Sequence, residues 1–519
     1  MKAVHHVLGI DIGTTGVKAL LVNEEGEIAA AASVEYPLLT PRPNWAEQHP
    51  QTWWEATVGA TRGCLEKAQT ETGKKIEVSA IGFSGQMHSS VFLGSRGEVL
   101  RPAILWCDQR TESQCREITE MVGSDRLVEL TFNRALAGFT APKILWLREN
   151  EPDVYSRVHR VLLPKDYIRY RMTGVFATEV SDASGTLLFQ VAERRWSDEM
   201  LQALDIPREW LPECYESPEI SGYVTKEAAE ALGLAEGTPV VGGGGDQAAG
   251  AVGNGIVREG LASCVLGTSG VIFWYSYKAV FDRLGRLHSF CHAVPGKWHL
   301  MGVTLAAGGS LRWFRDTLCQ DEVREAKQRG IDPYEIIIEK AAGVVPGAEG
   351  LLFLPYLAGE RNPHADANAR GAFLGLSLRH TKEHMARAVL EGVTMNLKDC
   401  IEVGKEMGVT ATQMYLSGGG ARSAHWRQIV ADIFGIEVAR IGVDEGPAYG
   451  AAILAAVGAG LFRSVEEACT RLVRVVDARS FDTERAQVYQ RLYELYHPLY
   501  ATLKGFFDSD ADFVSDTVS

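Results

Sequence analysis

The chain has 519 residues, too many for one ordinary hydrophobic core, so two domains of roughly 200–250 residues with a cleft between them are expected. Hydrophobic residues at 46% and charged residues at 23% place it in the globular range and exclude a disordered chain. The 52 Lys and Arg against 66 Asp and Glu leave a net charge of -14, which excludes a generic binder of nucleic-acid backbone but not a local anion site.

The opening MKAVHHVLGIDIG has its apolar run broken by Asp11 before a leader core is complete, and no later stretch is long and apolar enough to span a bilayer. Nine scattered cysteines without a C-x-x-C pair indicate neither a disulfide framework nor a zinc knuckle, so a soluble protein of the reducing cytoplasm is expected. Residues 8–22, LGIDIGTTGVKALLV, read as a strand, a glycine turn and a second strand. TWWEATVGATRGCLEKA at 52–68 has the spacing of an amphipathic helix, and VSAIGFSGQ at 78–86 that of a buried strand entering a polar loop.

That loop, SGQMHSS at 84–90, is expected to expose Gln86, Met87 and His88, and LWCDQR at 105–110 to offer Asp108 and Arg110 as further polyol-binding groups. PVVGGGGDQAAGAVGNG at 239–255 reads as an apolar strand, four glycines, Asp246 and a small-residue helix beginning at Gln247, and marks the boundary between domains. LGTSGV at 266–271 then repeats IGTTGV at 12–17, which predicts duplicated domains facing each other. HSFCHAVPGKWHLM at 288–301 places three histidines on a strand and turn rather than on one helical face, against a zinc site. LSGGGARS, starting at 416, precedes a helix whose Trp426, Ile429, Val430, Ile433 and Phe434 form an apolar face, and EGPAYGAAILA at 445–455 is a second small-residue segment. From about 476 a charged, helical C-terminal extension is expected to pack back on the body.

These residue types point to phosphate chemistry. Glycine lets backbone approach an anion, and turn N–H groups with Thr or Ser hydroxyls supply donors to phosphate oxygens. Asp11, at a strand end before the first turn, is costly to bury unless it meets a cation such as the magnesium of a bound nucleotide; the alternative is a turn-capping role. Asp246, ringed by small residues, has room for a hydroxyl substrate beside it and fits a general base; the alternative is an N-cap. The G-x-x-x-x-G-K-[ST] loop is absent from the chain.

The succession LGIDIGTTGVKALL, SGQMHS, GGGGDQAAGA, LGTSG, LSGGGARS resembles the FGGY carbohydrate kinases over nearly the whole chain, with two longer signatures at 138–150 (GFTAPKILWLREN, centred on Lys143 and Trp146) and 371–391 (GAFLGLSLRHTKEHMARAVLE). WAEQHPQTWW, VLLPKDYIRYRMTG, HSFCHA and LPYLAGER are similar to the branch acting on D-xylulose. The resemblance implies an α/β fold of two ribonuclease-H-like domains of the actin and hexokinase type, over 1–245 (sugar side) and 246–475 (nucleotide side), with an extension over 476–519. It implies ATP and Mg²⁺, with Asp246 as base and Asp11 holding the metal through water. Met87, His88 and Gln247 would join Asp246 at the sugar. Thr14, Thr15, Thr268 and Ser269 would face the phosphates, and Gly418, Gly419 and Gly420 would flank adenosine. Ser89 and Gln247 depart from the glycine and asparagine common in that branch. Partners implied are sugar and ATP, with no nucleic acid and no membrane; a homodimer is left open. The competing readings are an actin-like ATPase, which the two longer signatures argue against, a non-catalytic sugar sensor, which would be expected to lose Asp11 or Asp246, and a kinase for ribulose, gluconate or glycerol.

Overall fold

The computed structural model describes residues 5–443 and 445–518; Met1–Val4, the start of the segment read for a leader, lie outside it. Apolar, β-branched sequence makes His6–Ile12 (β1), Gly16–Asn23 (β2) and Ile28–Glu35 (β3) an antiparallel meander. Pro50 starts the helix Pro50–Thr72 (α1) and left-handed Gly73 ends it, with Trp53, Ala60 and Cys64 on its buried face. It returns the chain to Val78–Gly85 (β4), parallel to β1 and buried from Ala80 onward. A central parallel strand is covered on both faces, hence its continuous apolar run.

Residues 86–219 are an insertion that includes Thr140–Asn150 (α2) and the short helix Val180–Ala183 (α3). Ile220–Tyr223 (β5), Pro239–Val241 (β6) and Gly244–Gly245 (β7) then complete the first sheet, and Asp246–Gly253 (α4) leaves it. The second half contains Gly260–Leu266 (β8), Gly270–Ser276 (β9), His288–Cys291 (β10), Trp298–Thr304 (β11), Gly308–Leu318 (α5), Lys382–Glu406 (α6), Ala411–Ser417 (β12), Ala424–Phe434 (α7), Glu437–Ile441 (β13), Gly446–Gly458 (α8) and Val475–Arg479 (β14).

The first sheet runs β3-β2-β1-β4-β6-β5, with β7 also pairing β4, and the second runs β11-β9-β8-β12-β13-β14, with β10 outside β11. In both, an antiparallel meander stands beside two strands parallel to its first and ends on an antiparallel edge strand. The repeated six residues therefore mark equivalent turns of a duplicated fold. The halves interlock, because α8 from the second half lies across β1 and β4 of the first and packs on α4. Gly9 and Gly82 permit this: a Cβ on either would collide with a backbone carbonyl of α8, Ala448 or Ala451.

One local expectation is corrected. The segment from 476 begins as an edge strand, because Val438–Ile441 of β13 leaves an unpaired edge that β14 fills. Helices Thr483–Tyr496 (α9) and Leu499–Val518 (α10) follow, and Tyr489, Tyr493, Tyr496 and Phe507 insert into the core of the second half. No helix among the described residues is long and apolar enough to cross a membrane.

Candidate active site

Sheet register assembles the acidic end of the site. Lys18, Asp11, Ser84 and Gly244 form one row across β2, β1, β4 and β7, and Gly244 lies two residues before Asp246. Asp246 is the first residue of α4 with Gly245 as N-cap, so the helix starts one residue earlier than expected and Asp246 is not the cap. Its carboxyl is pushed up to about 7, first by burial and then by the negative charge of Asp11, against opposing hydrogen bonds from Gln247. Burial also raises Asp11, although the Ser84 hydroxyl and Lys18 pull it down, and its Oδ1 is buried without a hydrogen-bond partner among the described residues. Lys18 reaches on to Glu445, ahead of α8.

The sugar-loop residues are brought close to Asp246, but not as an exposed loop. Gln86, Met87 and His88 are all buried, with Phe139 and Gly185 of the 86–219 insertion and Phe290 of β10 standing against His88. A Cβ on Gly245 would stand 2.8 Å from Met87 Cγ, so Met87 packs directly beside the residue preceding Asp246. His88 has φ 65, unusual for a residue with a β-carbon. The 138–150 signature holds it there, because Thr140 Oγ1 (3.0 Å) and Lys143 Nζ (2.9 Å) both donate to the His88 carbonyl. Burial pushes the Lys143 ammonium down to about 7.

His88 Nδ1 is 2.9 Å from the Gly185 carbonyl, which only accepts; Nδ1 therefore carries the proton and Nε2 presents a lone pair. Burial first, then the nearby Lys143 charge, drives its pKa to about 3 and keeps the ring neutral. Ser89 turns away from this group: its hydroxyl donates to Gln86 Oε1 (3.2 Å) and accepts the Trp106 amide (3.0 Å), so it braces the loop. Asp108 and Arg110 are not free for a polyol. They bind each other, Asp108 also accepts the Ala46 amide at 2.6 Å, and Arg110 lies 3.6 Å over the Trp45 ring.

His288 and His299 lie on the paired strands β10 and β11 and His292 in the turn between, among Phe273 and Phe290. Asn133 Nδ2 donates to two carbonyls, leaving Oδ1 to accept from His288 Nδ1 at 2.9 Å.

A cavity of 360 Å³ opens from Asp246 and Gln247, between α4 and the start of α8, to Gly418 and Gly419. Gly420 faces elsewhere, against Leu266 and Trp426. Thr14, Thr15, Thr268 and Ser269 lie on the two turns and do not line this cavity. Thr14 Oγ1 accepts the Trp106 indole N–H (2.9 Å), and Thr268 Oγ1 accepts from Arg312 (2.6 Å).

Four residues escaped the sequence reading. Arg422 and Arg440 line the cavity, and neither guanidinium has an ion-pair partner among the described residues. Arg422 directly follows the GGGA run and was open to notice, whereas nothing in EVARI singles out Arg440. Trp106 lies in the same LWCDQR segment as Asp108 and Arg110. Arg361, whose backbone is held between Glu360 and Asn362 anchored at the end of β11, lies near enough to His88 and His288 for its charge to lower both imidazoles further, after burial.

Two sheets with the same pattern of parallel and antiparallel strands, interlocked through α8, and a cavity with the Asp246 carboxylate at one end and a glycine turn with guanidiniums at the other define the ribonuclease-H-like, actin- and hexokinase-type class. Residues 6–253 match the N-terminal domain and 262–459 the C-terminal domain of the FGGY family of carbohydrate kinases, and the chain belongs to that family. It is 43% identical to the xylulose kinase of Escherichia coli (strain K12), covering 95% of this chain and 100% of that one. It is 32% identical to the gluconokinase of Bacillus subtilis (strain 168), with 98% of each covered. The crystal structure of xylulose kinase from Rhodospirillum rubrum superposes with a TM-score of 0.90 at 33% identity, covering 97% of this chain and 100% of that one. The protein is a carbohydrate kinase.

Proposed function

We propose that the chain transfers the γ-phosphoryl group of ATP to a ketopentose, converting D-xylulose to D-xylulose 5-phosphate, in the cytoplasm. The observation carrying the choice of sugar is the whole-length identity of 43% to a xylulose kinase, against 32% to a gluconokinase.

The carboxylate of Asp246 accepts the proton of the acceptor hydroxyl as that oxygen bonds to the γ-phosphorus and the bond from phosphorus to the ADP oxygen breaks. A carboxyl at about 7 is well matched to this, because a base near the working pH combines adequate ionisation with proton affinity. His88 Nε2 accepts a hydrogen bond from a sugar hydroxyl, Arg361 supplies donors near it, and Met87 and Gln247 close the pocket around the reacting end. The cavity from Asp246 to Gly418 and Gly419 receives the nucleotide, with Arg422 and Arg440 countering its charge; the turn residues Thr14, Thr15, Thr268 and Ser269 approach the phosphates as the halves close. Closure excludes water from the phosphoryl group.

The buried, unpartnered Oδ1 of Asp11 fits a magnesium ion held through water. When bound, that ion neutralises phosphate charge.

An ATP-consumption assay over ketoses and polyols tests the reading: D-xylulose should have the highest kcat/KM. Tenfold better turnover of ribulose, gluconate or glycerol would overturn the sugar assignment and leave the family intact.

A further inference from the structure

Beneath the cleft, residues Ser181–Gly185, on α3 and the turn after it, touch three separate parts of the molecule. Ser181 Oγ donates to Glu179 Oε1 (2.9 Å), which leaves its lone pair to accept the amide of Gly245 (3.0 Å), the residue before Asp246. Ser184 Oγ donates to the Val180 carbonyl (2.6 Å) and accepts the amide of Cys291 (3.0 Å), on β10 of the second half. Gly185 offers its carbonyl to His88 Nδ1 (2.9 Å). Because each hydroxyl proton is committed to an acceptor just upstream of the segment, Glu179 or Val180, the direction of each lone pair is determined.

The segment is itself held rigidly. Glu179 accepts the amides of Ser181 (2.7 Å) and Asp182 (2.9 Å) and the Ser217 hydroxyl (3.1 Å). Lys165 Nζ stands 2.9 Å from Asp182 and 3.3 Å from Glu179, with all three side chains out of solvent. Removing one member of such a cluster strands a buried charge, so the cluster resists rearrangement.

We propose that residues 181–185 are a positioning bracket for the reaction: they set where the Asp246 carboxylate stands relative to the His88 imidazole and, through Cys291, register both against the second half. The inference rests on the roles given above to Asp246 and His88. It matters because a misplacement of about 1 Å costs on the order of 10²-fold in rate.

The bracket makes different demands at its two ends, and kinetics separates them. Ser181→Ala removes the acceptor for the Gly245 amide and should lower kcat about tenfold or more, with the sugar KM within about twofold. Ser181→Thr keeps the acceptor oxygen and should recover kcat to within about threefold of wild type. Gly185→Ala drives a methyl group into the His88 ring and should raise the sugar KM about tenfold or more, with the ATP KM within about twofold. Gly185→Ala decides the question alone if Ser181→Ala does not fold. Wild-type kinetics in both Ala variants, or a shared loss of melting temperature without this division between kcat and KM, overturns the bracket. All constants are measured with the acceptor the wild type turns over fastest, so a preference for another sugar overturns the D-xylulose reading alone.

Discussion

In the N-terminal hairpin Asp11 pairs across the strands with Lys18 and Ile12 with Val17, whereas in the C-terminal hairpin Val265 occupies the place of Asp11 and Leu266 pairs with Gly270, closing the turn one residue tighter. The surroundings differ too. The carbonyls of Gly267 and Thr268 take amides at the start of α5, from Ala307, Gly308 and Gly309, while Thr14 on the other turn takes the indole of Trp106. Duplication thus preserved a backbone and divided its chemistry. Carboxylates and the His88 loop gather on one side of the cleft, and guanidiniums with no ion-pair partner among the described residues, beside a glycine turn, on the other.

The sharpest break in that division is Asp246→Asn. It should lower kcat by roughly 10²–10⁴-fold with ATP and sugar binding nearly intact, and turnover above about a third of wild type would end the base assignment. Next in size, His88→Ala should raise the sugar KM by about 10–100-fold and flatten preference across a sugar panel, because it removes the acceptor proposed to read a hydroxyl. An unchanged ATP KM in the same variant would keep the effect on one side of the cleft. The opposite side is probed by the double variant Arg422→Ala, Arg440→Ala, where the ATP KM should rise about tenfold and the sugar KM hold steady. If the sugar KM moved equally, the division would be wrong.

The smallest effect is on pH. The proposed base must be deprotonated to act, and the Asp246 carboxyl is pushed up to about 7, so kcat/KM should climb as pH rises through that value. Asp11→Asn removes the second cause of the elevation, and the acidic limb should shift to lower pH while the magnesium requirement rises. A limb that stays in place, with a magnesium titration matching wild type, would take Asp11 out of the site.

Much of the frame was legible because its causes are local. The hairpin at 8–22 follows from alternating apolar runs around glycines, and β4 announces itself by the apolar stretch at its centre, Ala80–Phe83. Asp246 stood out because nothing bulky surrounds it in sequence. The reading of SGQMHSS as exposed went astray for a non-local reason: polar composition indicates a surface, but Phe139, Gly185 and Phe290, from three distant segments, cover His88. Asp108 and Arg110 misled in the same way, since their partners Ala46 and Trp45 lie far upstream.

By itself the sequence determined the equivalent turns at 12–17 and 266–271 and the strands and helix beside the first of them, which rest on residue type and short-range spacing, and, through motifs that resemble a known family, the kinase family. Only the tertiary structure decided that α8 crosses onto the first sheet, that the charge of Asp11 helps to raise Asp246, that His88 presents Nε2 rather than Nδ1, and that Ser181 and Gly185 hold both ends of the site. The reason is physical. Backbone geometry is set largely by neighbours along the chain, whereas a carboxyl's proton affinity and a hydroxyl's direction are set by whatever charge, donor or acceptor folding brings beside them.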